Sequence, residues 1–186
     1  MMLKTTTDPF VVQEISPRQT QLLQNIGELR IRAWSSVVPD AAQLTCWLDN
    51  YDATARHWAV FDGEKLIAAA RMSIHAHLHE VPEPEVYVGC FPRPLPAPIA
   101  SFNRLVVDID YRRRGIAKTL DTLRLEAARH AHCASIVLAT PSGLYRVRSL
   151  ESLGFQCVGS GAPYQGPLFY VGLESKVLYL LFNDPI

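Results

Sequence analysis

The sequence predicts a mixed α/β fold, and three observations carry this prediction. Apolar residues recur every three or four positions over residues 22–34 and again over residues 116–131, which is typical of amphipathic helices. Over residues 57–78 the period is two, which indicates strands. The chain has 186 residues, the length of one domain that buries its own core, so we expect a single domain over residues 1–186.

A strand followed by two helices is predicted for the N-terminal part of the chain. Residues 10–15 read as a strand, and Ser16-Pro17 favours a helix start because proline suits the first helical position. The apolar stripe of this helix consists of Leu22, Leu23, Ile26, Leu29 and Ala33. Asp40, which follows a proline, can cap a second helix. That helix would carry Leu44, Trp47, Leu48 and Tyr51.

A β-hairpin is predicted next, with Asp62-Gly63 as its two-residue turn between strands at 58–61 and 66–78. Alternate positions of the second strand share a face, and one face would present Arg71, Ser73, His75, His77 and His79. Histidines at positions i and i+2 of a strand project together and can bind a metal. No cysteine or carboxylate partner is evident in the sequence, so no metal is expected.

The remaining elements alternate between strands and helices. A proline-rich loop of about twenty residues at 80–100 separates the hairpin from the next strand, and a loop of this length is more often functional or mobile than a plain connection. Strands are predicted at 102–109, 136–140, 155–158 and 177–182, with a helix from Ile116 and a short helix ended by Gly154. The predicted order is βααβββαβαββ, which is typical of a mixed α/β layer.

Net charge, hydropathy and cysteine spacing indicate the partners and the cellular location to expect for this protein. The formal net charge is zero, from 18 basic and 18 acidic residues, which argues against nucleic acid as the main partner. The N-terminus lacks the apolar core of a secretion signal, and no run approaches the ~20 apolar residues that span a membrane. A cytoplasmic protein without a membrane partner is therefore expected. Its four separated cysteines should be reduced thiols.

The sharpest local signal is Tyr-Arg-Arg-Arg-Gly-Ile-Ala-Lys at residues 111–118, between a strand and a helix. Backbone amides at a helix start are unpaired, and the helix dipole adds about half a positive charge there. Gly115 and Ala117 keep bulky side chains away from those amides, and guanidinium groups match phosphate geometry. The segment therefore predicts an anion cradle, and a solvated basic turn is the alternative.

This segment, with the strand before it, resembles motif A of the GNAT superfamily of N-acetyltransferases, whose pyrophosphate loop reads (Arg/Gln)-x-x-Gly-x-(Gly/Ala). The segment Leu-Glu-Ser-Leu-Gly-Phe at residues 150–155 is similar to the Gly-Phe ending of the motif B helix of that family. The order of elements is also the GNAT order. The resemblance implies a GNAT-like, mostly antiparallel sheet with helices on both faces, in which two parallel central strands splay to form the CoA cleft.

The resemblance also implies which residues bind. Acetyl-CoA, the acyl donor, would lie in the V-shaped opening between strands 105–109 and 136–140. Backbone groups at Leu105, Val106 and Val107 would pair with the pantetheine and the acyl carbonyl. The pyrophosphate would be held at Arg112, Arg113, Arg114, Gly115, Ile116 and Ala117. The implied reaction is N-acetyl transfer by direct attack of a primary amine, on a small molecule or a peptide. The resemblance also implies a homodimer.

Two positions depart from the family pattern. The tyrosine that often serves as general acid, four residues before the glycine of Gly-Phe, is Leu150 here, and the common asparagine position is Gly143. The candidate general acid is then Tyr145, with Ser149 as an alternative. For the general base the candidates are Glu85 or Glu83 in the proline-rich loop, or His77 and its neighbours.

These departures leave other functions open. A non-catalytic GNAT module that binds CoA as a sensor or structural ligand would also tolerate Leu150 and Gly143. A third interpretation is that the basic loop holds a nucleotide phosphate in an unrelated α/β fold.

Overall fold

Eight β-strands and three α-helices follow one another in the parts of the chain that the computed structural model describes, which are residues 2–3, 10–35, 44–141, 143–163 and 174–182. In chain order they are β1 (Met2–Leu3), β2 (Val11–Ile15), α1 (Thr20–Trp34), β3 (Arg56–Asp62), β4 (Lys65–His75), β5 (Ile99–Val107), α2 (Ile116–His130), β6 (Ser135–Thr140), α3 (Leu144–Glu151), β7 (Gln156–Ser160) and β8 (Lys176–Leu181). The strands pair mostly antiparallel, and β5 and β6 pair in parallel. The predicted fold class is confirmed.

The chain groups into two compact units, residues 1–72 with 104–120, and residues 73–103 with 121–186. In the first unit the strand order is β1-β2-β3-β4, and all three pairings are antiparallel. In the second unit the order is β5-β6-β8-β7. The chain passes from one unit to the other within β4, β5 and α2.

The core of the first unit forms where the apolar stripe of α1 packs against the sheet. Its buried members are Ile15, Leu23, Ile26, Leu29, Ala33, Ala59, Leu66, Ala69 and Val106. Gly27 on the same helix allows a close approach, because an added Cβ would lie 2.2 Å from the Cys46 sulfur. The Trp47 amide donates to the Gly27 carbonyl at 3.1 Å, so the segment that contains Trp47 runs directly along α1.

A buried network of charges also lies in the first unit. Asp52 accepts from Arg30 of α1 at 2.9 Å and pairs with Arg71 of β4 at 3.0 Å. Asp49 pairs with Arg71 and, at 3.1 Å, with Arg104 of β5. The side chains of Arg30, Arg71 and Asp52 are 4% exposed or less. We call these five residues the ion network.

The ion network sets the protonation of its members. Burial by itself raises the pKa of Asp52, but the hydrogen bond and charge of Arg30, with the charge of Arg71, hold that pKa well below its usual range. The pKa of Asp49 is lowered in the same way by Arg71 and Arg104. Burial lowers the pKa of His57, whose Nε2 lies 3.0 Å from the Asp52 carbonyl oxygen. His57 is therefore neutral at pH 7 and donates from Nε2.

The second unit has its core beneath the segment that the sequence predicted as a proline-rich loop. This segment contains two 3₁₀ turns, Leu78–Glu80 and Pro84–Tyr87. Its side chains enter an apolar cluster whose buried members are Val81, Val86, Tyr87, Ile99, Val137 and Val177. The segment is thus part of the core of this unit rather than a mobile excursion.

Several predicted elements begin or end elsewhere in the structure. Helix α1 begins at Thr20 rather than after Ser16, because the Gln19 side chain accepts from the Ser16 amide and closes a turn first. The predicted second helix is wrong over residues 44–49, which are irregular, and only Asn50–Ala53 forms a 3₁₀ turn. Asp49 and Asp52 cap this turn reciprocally, so it begins there. The proposed cap Asp40 lies outside the described residues.

The β3–β4 hairpin is confirmed, although Asp62 pairs with Lys65, so that the two turn residues are Gly63 and Glu64. Strand β4 ends at His75, and the prediction that His77 and His79 share its face is wrong. The Glu80 carboxylate accepts from the amides of Ala76 and His77 and turns the chain out of the sheet. Gly154, at φ +96°, follows α3 as predicted.

The four cysteines, all within the described residues, are free thiols. Among the helices of the described residues, none is both long enough and apolar enough to cross a membrane.

The ion network predicts a large loss of stability for Asp52→Asn. The substitution leaves Arg30 buried without a carboxylate partner, and removing one member of a buried ion pair costs about 3–5 kcal/mol. Urea denaturation should show this loss of unfolding free energy. The control is Glu14→Gln, which breaks the exposed pair with Arg56 and should cost about 1 kcal/mol or less. Equal losses in the two variants would contradict a structural role for the network.

The lowered pKa values predict how stability depends on pH. Because folding lowers the pKa of His57, the unfolded chain binds a proton that the folded chain resists, so stability falls as the pH drops below about 6.5. The lowered pKa of Asp52 adds a second loss below about pH 4. His57→Gln should flatten only the first phase, by at most about 1.4 kcal/mol per pH unit. The exposed His130, changed to glutamine, should leave both phases unchanged.

Candidate functional site

The segment between β5 and α2 presents a row of unpaired backbone amides. After the 3₁₀ turn Ile109–Tyr111, α2 begins at Ile116, and its first hydrogen bond runs from the Thr119 amide to the Gly115 carbonyl at 3.1 Å. The amides of residues 113–118 donate to no acceptor within the described part of the chain. Six consecutive donors at the positive end of a helix dipole form an environment for an anion. We call residues 112–118 the anion cradle.

Gly115 gives the anion cradle its shape. Its φ is +80°, in the left-handed region that side chains with a Cβ adopt only with strain, and Arg113 before it is also left-handed at +65°. A Cβ built on Gly115 would meet no protein atom within 4 Å. The glycine is therefore required for the backbone conformation and leaves the face above the amides open.

The three arginines of the anion cradle make different contacts. Arg112 donates to the Ala33 carbonyl of α1 at 2.8 Å and to the Val107 carbonyl at 3.2 Å, so it fixes the loop to its neighbours. Arg114 donates to the Asp110 carbonyl at 3.3 Å and lies over the Tyr111 ring. Arg113 is exposed and makes no hydrogen bond or ion pair within the described residues, which leaves its guanidinium available to a ligand.

Three contacts tie this loop to the β3–β4 hairpin. Tyr111 donates its hydroxyl to Asp62 at 2.9 Å, and this hydrogen bond raises the pKa of Tyr111. Lys65 lies 4.7 Å from the centre of the Tyr111 ring and 3.5 Å from the Asp108 carboxylate. Together with Arg112, these contacts hold the cradle in one position before any ligand binds.

Strand β5 leads into the cradle and is irregular at Arg104, whose φ is +51°. The Arg104 guanidinium pairs with Asp49 and lies 4.4 Å over the Trp47 ring, which holds this left-handed residue in place. Beyond it Val106 is buried in the core, whereas Leu105 and Val107 are half-buried. The three β5 residues predicted to contact the pantetheine thus follow directly on a left-handed residue.

In the second unit the parallel pairing of β5 and β6 is short. It runs from Ile99 opposite Ser135 to Ser101 opposite Val137, although β6 continues to Thr140. The antiparallel pairing of β6 with β8 continues through Thr140. We call the end of the parallel pairing, at Ser101 and Val137, the fork.

The three predicted catalytic side chains lie in the second unit and are not hydrogen-bonded to one another. Tyr145 on α3 is 85% exposed, while Leu150, at the position of the family's usual tyrosine, is fully buried. Glu85 is half-buried in the second 3₁₀ turn. His77 is exposed and stacked on His79 at a centroid distance of 5.2 Å. Their roles as acid and base stay predictions.

Sequence reasoning missed the buried polar groups. The ion network had one visible signal, a pair of aspartates three residues apart beside a tryptophan. A second buried cluster joins Asp121 and Arg124 of α2 to Arg146 of α3. Tyr87 carried no pattern that distinguished it from other aromatic residues. Among the described residues, no group of three or more histidine, cysteine or acidic side chains could hold a metal ion.

The fold has many solved relatives. The AHL synthase LasI matches with a TM-score of 0.65 at 14% identity, over 95% of this chain and 91% of that one. FeeM, an N-acyl amino acid synthase from uncultured soil microbes, matches with a TM-score of 0.64 at 16% identity, over 92% of this chain and 90% of that one. The ribosomal-protein-S5-alanine acetyltransferase from Vibrio fischeri matches with a TM-score of 0.63 at 13% identity, over 100% of this chain and 99% of that one. At these identities the likeness concerns the fold.

The family follows from the sequence itself. No curated protein matches the chain closely enough to serve as a relative. The sequence profile described as the Acetyltransferase (GNAT) family matches residues 23–155, which is more than half of the chain and includes β5, the anion cradle and α3. The protein therefore belongs to the Acetyltransferase (GNAT) family, as the resemblance of its two motifs predicted, and is an acyltransferase.

Proposed function

We propose that the protein is an acyl-CoA-dependent N-acetyltransferase that transfers an acetyl group from acetyl-CoA to a primary amine. The observation that carries the proposal is the anion cradle, whose six unpaired amides fit the pyrophosphate of CoA. The exposed Arg113 supplies a guanidinium that can pair with a phosphate oxygen. The family membership supplies the class of reaction.

Strand β5 would hold the rest of the donor. Its residues Leu105, Val106 and Val107 directly precede the loop to the cradle, so a pantetheine arm running back from the pyrophosphate would follow their backbone groups. Ile116 and Ala117 add the first amides of α2. The CoA moiety supplies the activated thioester, and the protein supplies the fixed donors that position it.

The proposed reaction is direct attack of the neutral amine on the thioester carbon. The C–N bond forms, the C–S bond breaks, the amine loses a proton and the CoA thiolate gains one. No covalent bond to the protein is needed. Holding the two reactants together and polarising the carbonyl with a backbone donor supplies most of the acceleration in this scheme.

Proton transfer has three candidate groups. Tyr145 would protonate the thiolate, and its exposed position on α3 leaves the phenol accessible to a bound ligand. Glu85 or His77 would take the proton from the amine, directly or through water. Leu150 cannot serve as an acid, and its burial makes it part of the packing of α3.

The acceptor is proposed to be the primary amine of a small molecule or a peptide. Two of the solved relatives have an amino acid in their names, an N-acyl amino acid synthase and a ribosomal-protein-S5-alanine acetyltransferase. Amino acids and N-terminal peptides are therefore the first acceptors to test.

The proposal predicts that acetyl-CoA and a panel of primary amines release free thiol above the rate of hydrolysis. The measurement is thiol detection over time, with mass spectrometry of the acylated amine. Tight CoA binding without turnover on any amine would favour the non-catalytic CoA-binding module instead. Stabilisation of the protein by ATP but not by CoA would refute the assignment of the cradle to CoA.

The cradle predicts that Gly115→Val weakens CoA binding. The valine strains a backbone at φ +80° and projects into the open face above the amides, so one or two charge-assisted hydrogen bonds are lost. A loss of about 10- to 100-fold in affinity is expected, measured by calorimetry.

Gly159→Val is the matched control for Gly115→Val, because Gly159 also has a positive φ (+126°) and open space where a Cβ would lie, but it belongs to β7 and makes no contact with the cradle in the described structure. It should lose stability without losing CoA affinity. Tyr145→Phe should leave CoA affinity unchanged and lower turnover. If Gly159→Val weakened CoA binding as much as Gly115→Val, the cradle would lose its support.

A further inference from the structure

Arg104 has a backbone conformation that is unusual for a strand. Its φ is +51°, and of the described non-glycine residues with a left-handed φ it is the one that lies inside a β-strand. A residue with a Cβ adopts this conformation only with strain, so the conformation persists where the surrounding structure holds it. We therefore expect the contacts of the Arg104 side chain to fix its backbone.

Two side chains of one short segment hold Arg104. The Asp49 carboxylate lies 3.1 Å from the Arg104 guanidinium, which also lies 4.4 Å over the Trp47 ring. The Arg104 side chain is 8% exposed, so its ion pair is screened less than one at the surface. The ion pair and the ring contact together fix where the guanidinium lies.

Asp49 cannot follow Arg104 if that residue moves, because other groups fix its carboxylate. It pairs with Arg71 of β4, and it accepts from the Tyr51 amide at 3.0 Å as the cap of the first 3₁₀ turn. Burial alone raises the pKa of Asp49, but the hydrogen bond and charge of Arg71, with the charge of Arg104, lower it, so the carboxylate is ionised at neutral pH. Arg104 is thus tied to a fixed negative charge.

The conformation of Arg104 sets the direction of the backbone groups that follow it. A strand residue usually has a φ of about −120°, so relaxing Arg104 from +51° would rotate the chain after it by about half a turn. The next residues, 105–107, are those whose amides and carbonyls would bind the pantetheine. Beyond them the Asp108 amide donates to the Ile67 carbonyl at 2.8 Å. Residues 105–107 therefore keep one orientation only while both of their ends are held.

We propose that Asp49 is a positioning residue for the acyl donor: through its ion pair with Arg104 it keeps the backbone groups of residues 105–107 in the orientation that binds the pantetheine. The inference rests on the proposed function, because it takes the donor to be CoA bound along this part of β5. Asp49 lies outside both sequence motifs, and every contact that supports its role lies within the first unit.

The test compares Arg104→Ala with Arg104→Gly. Both variants lack the guanidinium, but only glycine adopts a left-handed φ without strain. Calorimetry should show a CoA affinity about 5- to 10-fold lower for Arg104→Ala, because one or two backbone hydrogen bonds are lost, and within about twofold of the wild type for Arg104→Gly. Equal CoA affinities in the two variants, whether lowered or unchanged, would overturn the inference, because the backbone conformation would then not matter.

Asp49→Asn completes the test. It removes the charge but keeps an oxygen that can accept from the Tyr51 amide, and it should lower CoA affinity about as much as Arg104→Ala. Combined with Arg104→Gly it should cause no further loss of affinity, because the glycine does not need the ion pair. A loss of the same size in both backgrounds would show that Asp49 acts by another route, and would overturn the inference.

Two controls separate this role from a general effect on the protein. ADP carries a pyrophosphate but no pantetheine, so its affinity should be the same in the wild type and in Asp49→Asn. Ile26→Val trims an apolar core residue of the same unit and leaves the ion network intact, so it should lower stability but not CoA affinity. If Asp49→Asn weakened ADP as much as CoA, or Ile26→Val weakened CoA as much as Asp49→Asn, the positioning role would be overturned.

The wild type distinguishes failure of this inference from failure of the proposed function. A wild type that does not bind CoA overturns the proposed function itself, and the inference with it. A wild type that binds CoA, with equal affinities in Arg104→Ala and Arg104→Gly, leaves the proposed function standing and overturns the role of Asp49 alone.

Discussion

The carboxylate of Asp52 joins the main elements of the first unit. It accepts from Arg30 of α1 and pairs with Arg71 of β4, and it also caps the turn on which it lies. Burying these charges costs solvation, which the ion pairs and their hydrogen bonds must offset. Their lasting contribution is to fix one arrangement, because helix, turn and strand satisfy each other's charges only when all three are in place. An apolar contact between the same elements would tolerate a shift of register.

The ion network and the candidate site share two structural elements. Arg104 of β5 is held by Asp49 and Trp47, and this residue directly precedes the backbone proposed to hold the pantetheine. On α1, the Ala33 carbonyl that accepts from Arg112 lies about one helical turn beyond Arg30. The positions of β5 and of the anion cradle are therefore tied to the same buried charges, which explains how a loop of exposed arginines can be ordered before it binds a ligand.

In the second unit a side chain, and not a neighbouring strand, accepts the hydrogen bond of a strand amide. Where the parallel pairing of β5 and β6 ends, the Ala139 amide is satisfied by the phenol oxygen of Tyr87 instead of a carbonyl. A phenol offers a flat apolar body and one polar atom, so it can fill a gap in a sheet and satisfy a backbone donor at once. The proline-rich segment is the element that delivers this group, which accounts for its burial despite its composition.

The sequence by itself determined the order of most elements, the fold class, the family and the position of the anion cradle. These rest on local physics: apolar periodicity follows from helix and strand geometry, and unpaired amides follow wherever a glycine-containing turn starts a helix. The sequence predicted Tyr145, Glu85 and His77 as catalytic candidates only by their residue types.

Only the tertiary structure decided the rest. The ion network joins residues that lie 19 to 55 positions apart along the chain, and Tyr87 is hydrogen-bonded to Ala139, 52 positions away. The 3₁₀ turn at Asn50–Ala53 and the end of β4 before His77 are set by nearby carboxylates, those of Asp49, Asp52 and Glu80. The sequence around a charged or aromatic residue does not show which group will form its ion pair or hydrogen bond. Its role is set when folding brings that group within hydrogen-bonding distance and removes the water that would otherwise compete.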